Sequence, residues 1–405
     1  MEQERGSRLR LAALLVILFG PITLVSQSEI STRARQLHNR AIVIDTHDDT
    51  TQRLIFDKSF DIGARNNDGS IDIPRMREGG LDAIFFSIWV TGDVTGPVAV
   101  KRALQQIDAV RAAVRAHPGD LVFATTAADI RRAAADGKIA VLLGMEGGHM
   151  INEDLATLRQ FAALGVRYLT LTHSLNTTWA DSSGDKPVHN GLTAFGRDVV
   201  RELNRLGVMV DLSHVSDKTF YDAIEVMRVP ALASHSSVRA ISNSARNMTD
   251  DMLRTLAKNG GVVMINYNAA FLSEAFRAAP HSAELRAKTD DVTKRCGQDE
   301  ACSILEGQRV NREAMQSGEL PMVTWDAIID HIDHAVRVAG IDHVGLGSDF
   351  DGATMPFGME DASKLPRITE ALLRKGYADK DIEKILGGNL LRVMEQVERA
   401  SEVRR

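Results

Sequence analysis

Imidazoles and carboxylates recur at the ends of short apolar runs along this chain. His47 and Asp49 close the run that begins at Ala41, Glu146 follows Ile139–Met145, and His173 follows Tyr168–Thr172. His214 follows Val208–Leu212, His235 follows Ala233-Ser234, and Asp349 follows Val344–Ser348. Neutral imidazoles mixed with carboxylates, and no cysteine among them, are the ligand set of a catalytic zinc ion or another borderline divalent ion, not of a structural zinc site. In His47-Asp48-Asp49 the first and third side chains of an extended segment share a face, so both can reach one cation while Asp48 points away. Glu146 lies in Gly144-Met145-Glu146-Gly147-Gly148-His149, straight after an apolar run, where an unpaired carboxylate is costly and a cation relieves the cost. Taken singly, each has a plainer reading: a surface turn for His47 and Asp49, an arginine-paired carboxylate for Glu146, hydrogen-bonded core imidazoles for His214 and His235. Taken together, five ligands exceed what a single three-ligand catalytic ion uses, and the surplus points to two ions ~3.5–4 Å apart sharing a carboxylate. Glu146, able to offer one oxygen to each ion, is the expected bridge.

Side chains so far apart in order can meet only if a regular scaffold gathers the ends of their strands. The apolar runs Ala41–Thr46, Ala83–Trp89, Ile139–Met145, Tyr168–Thr172, Val208–Leu212, Ala231–Ser234, Val262–Asn266 and Val344–Ser348 read as strands, and amphipathic stretches separate most of them. Val98–Ala116 carries a repeating apolar face, Glu153–Leu164 stops at Gly165, Thr193–Leu206 stops at Gly207, and Thr249–Lys258 opens on an N-cap threonine and stops before Gly260. This predicts an α/β fold, a (β/α)8 TIM-type barrel whose C-terminal strand ends carry the active site. Between Ala269 and Pro321 the chain is polar and helix-prone, which predicts a helical insertion after the seventh strand; Asp379–Val397 reads as a long terminal helix packed on the outside. Residues 38–400 then form a single barrel domain with its insertion at 269–321.

A chain of 405 residues with 44% hydrophobic and 25% charged residues has ordinary globular composition, which excludes collagen-like and low-complexity classes. A net charge of -6 with dispersed Lys and Arg gives no footprint for nucleic acid. Residues 1–28 differ: Arg5, Arg8 and Arg10 precede the apolar Leu11–Val25, broken by Gly20-Pro21 and followed by Ser26-Gln27-Ser28. This is the pattern of an export signal, with an uncleaved membrane anchor as the alternative, so a periplasmic or extracellular location is expected. The two cysteines, Cys296 and Cys302, can form a local disulfide there or stay as free thiols in the insertion.

The motifs resemble the membrane dipeptidase (renal dipeptidase) family of zinc peptidases. The resemblance rests on Ile44–Asp49, Gly144–His149, Tyr168–Ser174, Asn204–Gly207, Asp211–Ser216, Ser234–Ser237, Ala245–Asn247, Gly347–Gly352 and Asn389–Val393, in order, and covers roughly Ala41 to Val397. It implies two Zn2+ per subunit, one on His47, Asp49 and Glu146 and one on Glu146, His214 and His235. It also implies that His173 contacts the substrate and steadies the tetrahedral intermediate, that Arg246 binds the substrate carboxylate, and that Asp349 handles protons. Tyr267 stands near where the family has a substrate-contacting tyrosine. A dipeptide substrate and a homodimer follow from the same resemblance. Two departures are visible: Asp48 replaces the asparagine of mammalian members, and the insertion is much longer than theirs.

Two ions sharing a water lower its pKa from 15.7 toward ~7 and so supply hydroxide at neutral pH. A donor from His173 aimed at the oxyanion contributes a few kcal/mol, the typical cost of losing such a donor being ~2.7–4 kcal/mol. Asp349 is the expected proton carrier and Asp351 its competitor. The guanidinium of Arg246 matches a free carboxylate bidentately, which selects dipeptides over longer chains. Two other readings stay open: a metal-dependent amidohydrolase acting on a non-peptide amide or lactam, and a non-catalytic zinc- or peptide-binding protein, which would need neither His173 nor Asp349.

Overall fold

The computed structural model describes residues 30–403, so the segment read as an export signal lies outside the described residues. Among the described residues nine strands are present: β1 (Ile44–Asp48), β2 (Ala83–Trp89), β3 (Leu121–Phe123), β4 (Ile139–Glu146), β5 (Val166–Thr170), β6 (Met209–Asp211), β7 (Leu232–Ala233), β8 (Val262–Ile265) and β9 (Val344–Leu346). Eight pair in parallel in the order β1-β2-β4-β5-β6-β7-β8-β9. The ring closes where Asp48 bridges Phe350 and the Asp49 N–H donates to the Phe350 carbonyl at 2.8 Å. This is the (β/α)8 barrel expected. Every residue of β1, β4, β5, β6, β7, β8 and β9 is buried, as parallel strands covered by helices require, so β4, β7, β8 and β9 read in the sequence as apolar runs, while β1 carries Asp45, Thr46, His47 and Asp48.

Register sets the height of the site. Trp89 pairs with Glu146, Glu146 with Thr170, and Thr170 with Asp211, so the ends of four neighbouring strands are level. Local signals hold the helices that return the chain. The Thr193 and Thr249 side chains cap their helices by accepting from Gly196 N and Met252 N, and Gly207 and Gly260 end the same helices at positive φ, 69° and 86°.

Three features depart from the expectation. A short strand, β3, pairs with the first residues of β4 outside the ring and leads into helix Ala127–Ala135; three residues are too few to show a period. The terminal segment is not one uniform helix on the outside. It runs as Asp379–Glu383, a π-helical turn at Lys384–Gly388, and Asn389–Ala400, and it lies across the N-terminal ends of the strands. There the Asn389 amide donates to the carbonyls of Ile341 and Val344 at 2.7 and 2.8 Å, and Arg392 donates to Gly260 O at 2.8 Å. At Gly387 a Cβ would stand 2.3 Å from the Ile42 carbonyl, so only glycine permits this approach. Third, His38, a histidine flanked by Gln36 and Asn39-Arg40 that sequence alone would leave at the surface, is fully buried between Thr369 Oγ1 and the Gly79 carbonyl.

Between β8 and β9 the chain forms Ala269–Leu272, Glu274–Arg277 and a pair of longer helices, Ala283–Cys296 and Glu300–Ser317. A disulfide joins Cys296 to Cys302 across the turn between that pair, with the Cα atoms 5.4 Å apart. The Asp299 side chain caps the second helix by accepting from Cys302 N at 2.9 Å.

Candidate metal centre

The strand ends bring the expected ligands to one spot. Glu146 Oε1 lies 2.9 Å from His214 Nε2 and 3.2 Å from His235 Nε2, while its Oε2 lies 3.5 Å from His47 Nε2. Asp49 Oδ2 is 3.7 Å from the same His47 nitrogen. His47 and His235 stack with centroids 3.8 Å apart, and the Nε2 atoms of His214 and His235 are 2.9 Å apart. His47 is fully buried and Glu146 is 3% exposed, so these acceptors converge away from water.

Such a cluster of lone pairs suits a cation, and the hydrogen bonds show which nitrogens face it. Tyr168 OH donates to Thr46 O at 3.1 Å, so at 2.8 Å it accepts from His47 Nδ1–H, leaving Nε2 with a lone pair and no partner. Ser234 Oγ donates to Asp211 Oδ2 at 2.6 Å, so at 2.8 Å it accepts from His235 Nδ1–H, and again Nε2 faces the cluster. Asp49 Oδ1 is also buried without a partner. Burial, reinforced by Arg246 and His173, keeps the His214 imidazole well below its ordinary pKa; burial and His47 do the same for His235. Neutral imidazoles are the form a metal takes.

Ligand atoms within 4.8 Å of one another group as His47, Glu146 and His235; as Glu146, His173 and His214; and as His47, Asp49 and Asp349. Glu146 belongs to two of these sets and His47 to two. The second and third also draw in His173 and Asp349, which the sequence reading placed beside the metals and not among their ligands.

His173 Nε2 lies 3.9 Å from Glu146 Oε1, and its ring meets Trp89 edge-on at 5.3 Å. Asp349 accepts from Asn266 Nδ2 at 2.9 Å; burial, partly offset by His47, pushes its carboxyl up to about 7. Its backbone is left-handed, φ 64°, as is that of His214, φ 68°, so both side chains leave their strand ends on strained turns. Asp351 is engaged elsewhere, accepting from Thr50 Oγ1 at 2.7 Å and from Ser70 N at 2.6 Å.

Arg246 lies on the His235 side of the cluster. Its Nη2 donates to the His235 carbonyl at 2.9 Å, its Nε is buried without a partner, and its guanidinium lies 5.3 Å from the Phe271 ring. Tyr267 is not brought to the site: it is fully buried, edge-on to Phe350, with its hydroxyl unpartnered. The cavity of about 210 Å³ is walled instead by Trp89, Ser174, Asn268, Phe271 and Ile304, beside Asp49, Glu146, His173, His214 and Asp349. Of these wall residues Ser174 closes a motif that carries the resemblance, while Trp89, Asn268, Phe271 and Ile304 lie in none. Tyr168 and Ser234 sit within motifs that carry the resemblance, and that was their signal. A larger cavity, about 390 Å³, opens between helix Ala194–Leu206 and the chain end, remote from the ligand cluster.

Residues 31–405 match the family described as Membrane dipeptidase (Peptidase family M19). Dipeptidase 3 of Macaca fascicularis is 34% identical over 384 residues, spanning 92% of this chain and 69% of that protein. The crystal structure of the probable dipeptidase PvdM from Pseudomonas aeruginosa superposes with a TM-score of 0.75 at 29% identity, covering 91% of this chain and 98% of that one. A metallopeptidase from Rhodobacter sphaeroides, solved with a phosphinate mimic of the dipeptide L-Ala-D-Ala, gives 0.73 at 29% identity over 88% and 99% of the two chains.

Proposed function

The chain belongs to the membrane dipeptidase family and is a metal-dependent dipeptidase; from that premise we propose that it is an exported dinuclear zinc enzyme that also accepts a D-configured C-terminal residue. The observation that carries the two-ion reading is the division of Glu146: Oε2 is turned to His47, which adjoins Asp49, and Oε1 to His214 and His235. His47, Asp49 and Glu146 would hold one ion, and Glu146, His214 and His235 the other. Nitrogen and oxygen ligands without thiolate suit zinc in a catalytic role. Ions held by these residues would supply a nucleophile from water at neutral pH and polarise the scissile carbonyl.

The chain's own residues do the rest. His173, kept below its ordinary pKa chiefly by burial, donates in this reading to the oxygen that gains charge as the carbonyl carbon becomes tetrahedral. Asp349, held by Asn266 and poised near neutrality, takes the proton of the attacking water and passes it to the departing amine. Arg246 neutralises the substrate carboxylate. Acceptance of a D-residue is supported by the Rhodobacter sphaeroides relative, bound to a mimic of L-Ala-D-Ala. Export is supported by Arg5, Arg8, Arg10 and the apolar Leu11–Val25. Among the described residues no helix is long and apolar enough to cross a membrane.

Metal analysis joined to a dipeptide panel tests this. Chelation abolishes hydrolysis of L-Ala-L-Ala and L-Ala-D-Ala, and zinc restores both as the content returns to two ions per chain. Full activity after chelation, or full recovery with one ion, defeats the dinuclear reading.

A further inference from the structure

In a closed ring of eight strands in this order, the ends of β2 and β7 stand across from each other. Arg246 belongs to the β7 side, bonded to the carbonyl of His235 with Phe271 over its guanidinium. Trp89 ends β2 and presents its ring edge to His173. Ile304 projects into the cavity from helix Glu300–Ser317 of the insertion. Its position is on the Trp89 side. That helix packs against helix Thr50–Phe56, which follows β1, and Glu300, one turn before Ile304, pairs at 3.4 Å with Arg102 of the helix after β2.

A dipeptide whose carboxylate faces Arg246 therefore extends its N-terminal residue toward Trp89 and Ile304. We infer that Ile304, backed by Trp89, is the wall that sets the size of the N-terminal side chain, making the insertion a specificity element for dipeptides that begin with a small aliphatic residue. This rests on the dipeptidase reading with Arg246 as the carboxylate anchor. The wall is held from two directions. The Cys296–Cys302 bridge closes the turn from which the helix starts, and the Arg102–Glu300 pair ties that turn to the barrel. Another cavity of about 290 Å³ lies between Arg102 and the Gly297–Glu300 turn, and Trp89, which lines both, separates it from the cavity at the metal cluster. A branched aliphatic side chain at the cavity wall discriminates by size, since added methylenes have nowhere to go.

The zinc-loaded full chain and Ile304→Ala are compared on Ala-Ala, Phe-Ala and Ala-Phe, with thermal melts as a check on folding. The kcat/KM ratio of Phe-Ala to Ala-Ala rises about tenfold in Ile304→Ala, while the ratio of Ala-Phe to Ala-Ala stays within about twofold. Ile304→Trp moves the first ratio the opposite way, so a folding defect in one variant leaves the other to decide. An unchanged first ratio, or a shift confined to Ala-Phe, overturns the inference while wild-type turnover of Ala-Ala keeps the dipeptidase reading intact. A wild-type enzyme that cleaves none of the three overturns both.

Discussion

Two hydroxyls decide which nitrogen of each imidazole is presented to a cation. Tyr168 and Ser234 each pass their own proton to an oxygen, Thr46 O and Asp211 Oδ2, and so can only accept from the Nδ1–H of His47 and His235. Tyr168→Phe frees the His47 tautomer and is expected to weaken metal binding by about 10–100-fold, read by competition with a chromophoric chelator. Unchanged affinity would remove the tyrosine from that role. The candidate ligands were legible because metal-binding side chains are unusual at the ends of apolar runs. Their supports were not, since a serine beside a histidine or a tyrosine inside a strand has ordinary explanations until its partner is known. Tyr267 illustrates the limit: its place in the chain suggested the substrate, but its ring turns into the core against Phe350.

Elements impose a different constraint, that of clearance. At Gly352 a Cβ would stand 1.9 Å from Asp49 Oδ2 and 2.7 Å from Asp349 Oδ1, so the turn after β9 can carry no side chain without displacing both carboxylates. Gly352→Ala should leave the far-ultraviolet spectrum and melting curve near wild type yet lower kcat/KM by about 10²-fold, the scale of a 1 Å misplacement. Retained activity would show that those carboxylates tolerate the shift. Most barrel strands were readable because burial on every side favours apolar sequence, as in β4, β8 and β9, and the longer helices because their caps follow fixed chemistry. β3 escaped because three residues outside the ring carry no period, and the π turn because Gly387 answers to the Ile42 carbonyl, a contact remote in sequence.

For the molecule as a whole, buried neutral histidines set the response to acid. His331, on helix Asp326–Ala339, accepts from Val238 N at 2.9 Å and donates to Leu272 O at 3.1 Å, joining the loop after β7 to the base of the insertion. His38 makes a comparable link between Thr369 and Gly79. Burial lowers both to about 4 from an ordinary 6.5, so below 6.5 the unfolded chain takes up protons that the folded chain refuses, and stability falls as pH drops toward 4. At ~1.4 kcal/mol per pH unit, lowering pH from 6.5 to 5 removes roughly 2 kcal/mol for each histidine. Urea titrations at several pH values should show this decline, with a slope shallower by about one proton in His331→Gln. Equal slopes would exclude His331 as a source.

The placement of the last helix bears on how the protein can be attached to something else. Ser401 packs at Gly207, just before β6, and Glu402 N donates to Arg205 O at 3.0 Å, on the face opposite the cavity mouth. A fluorescent label, resin linker or fused module joined beyond this point leaves from the far side of the barrel, so an immobilised enzyme keeps its substrate entrance turned toward the solution.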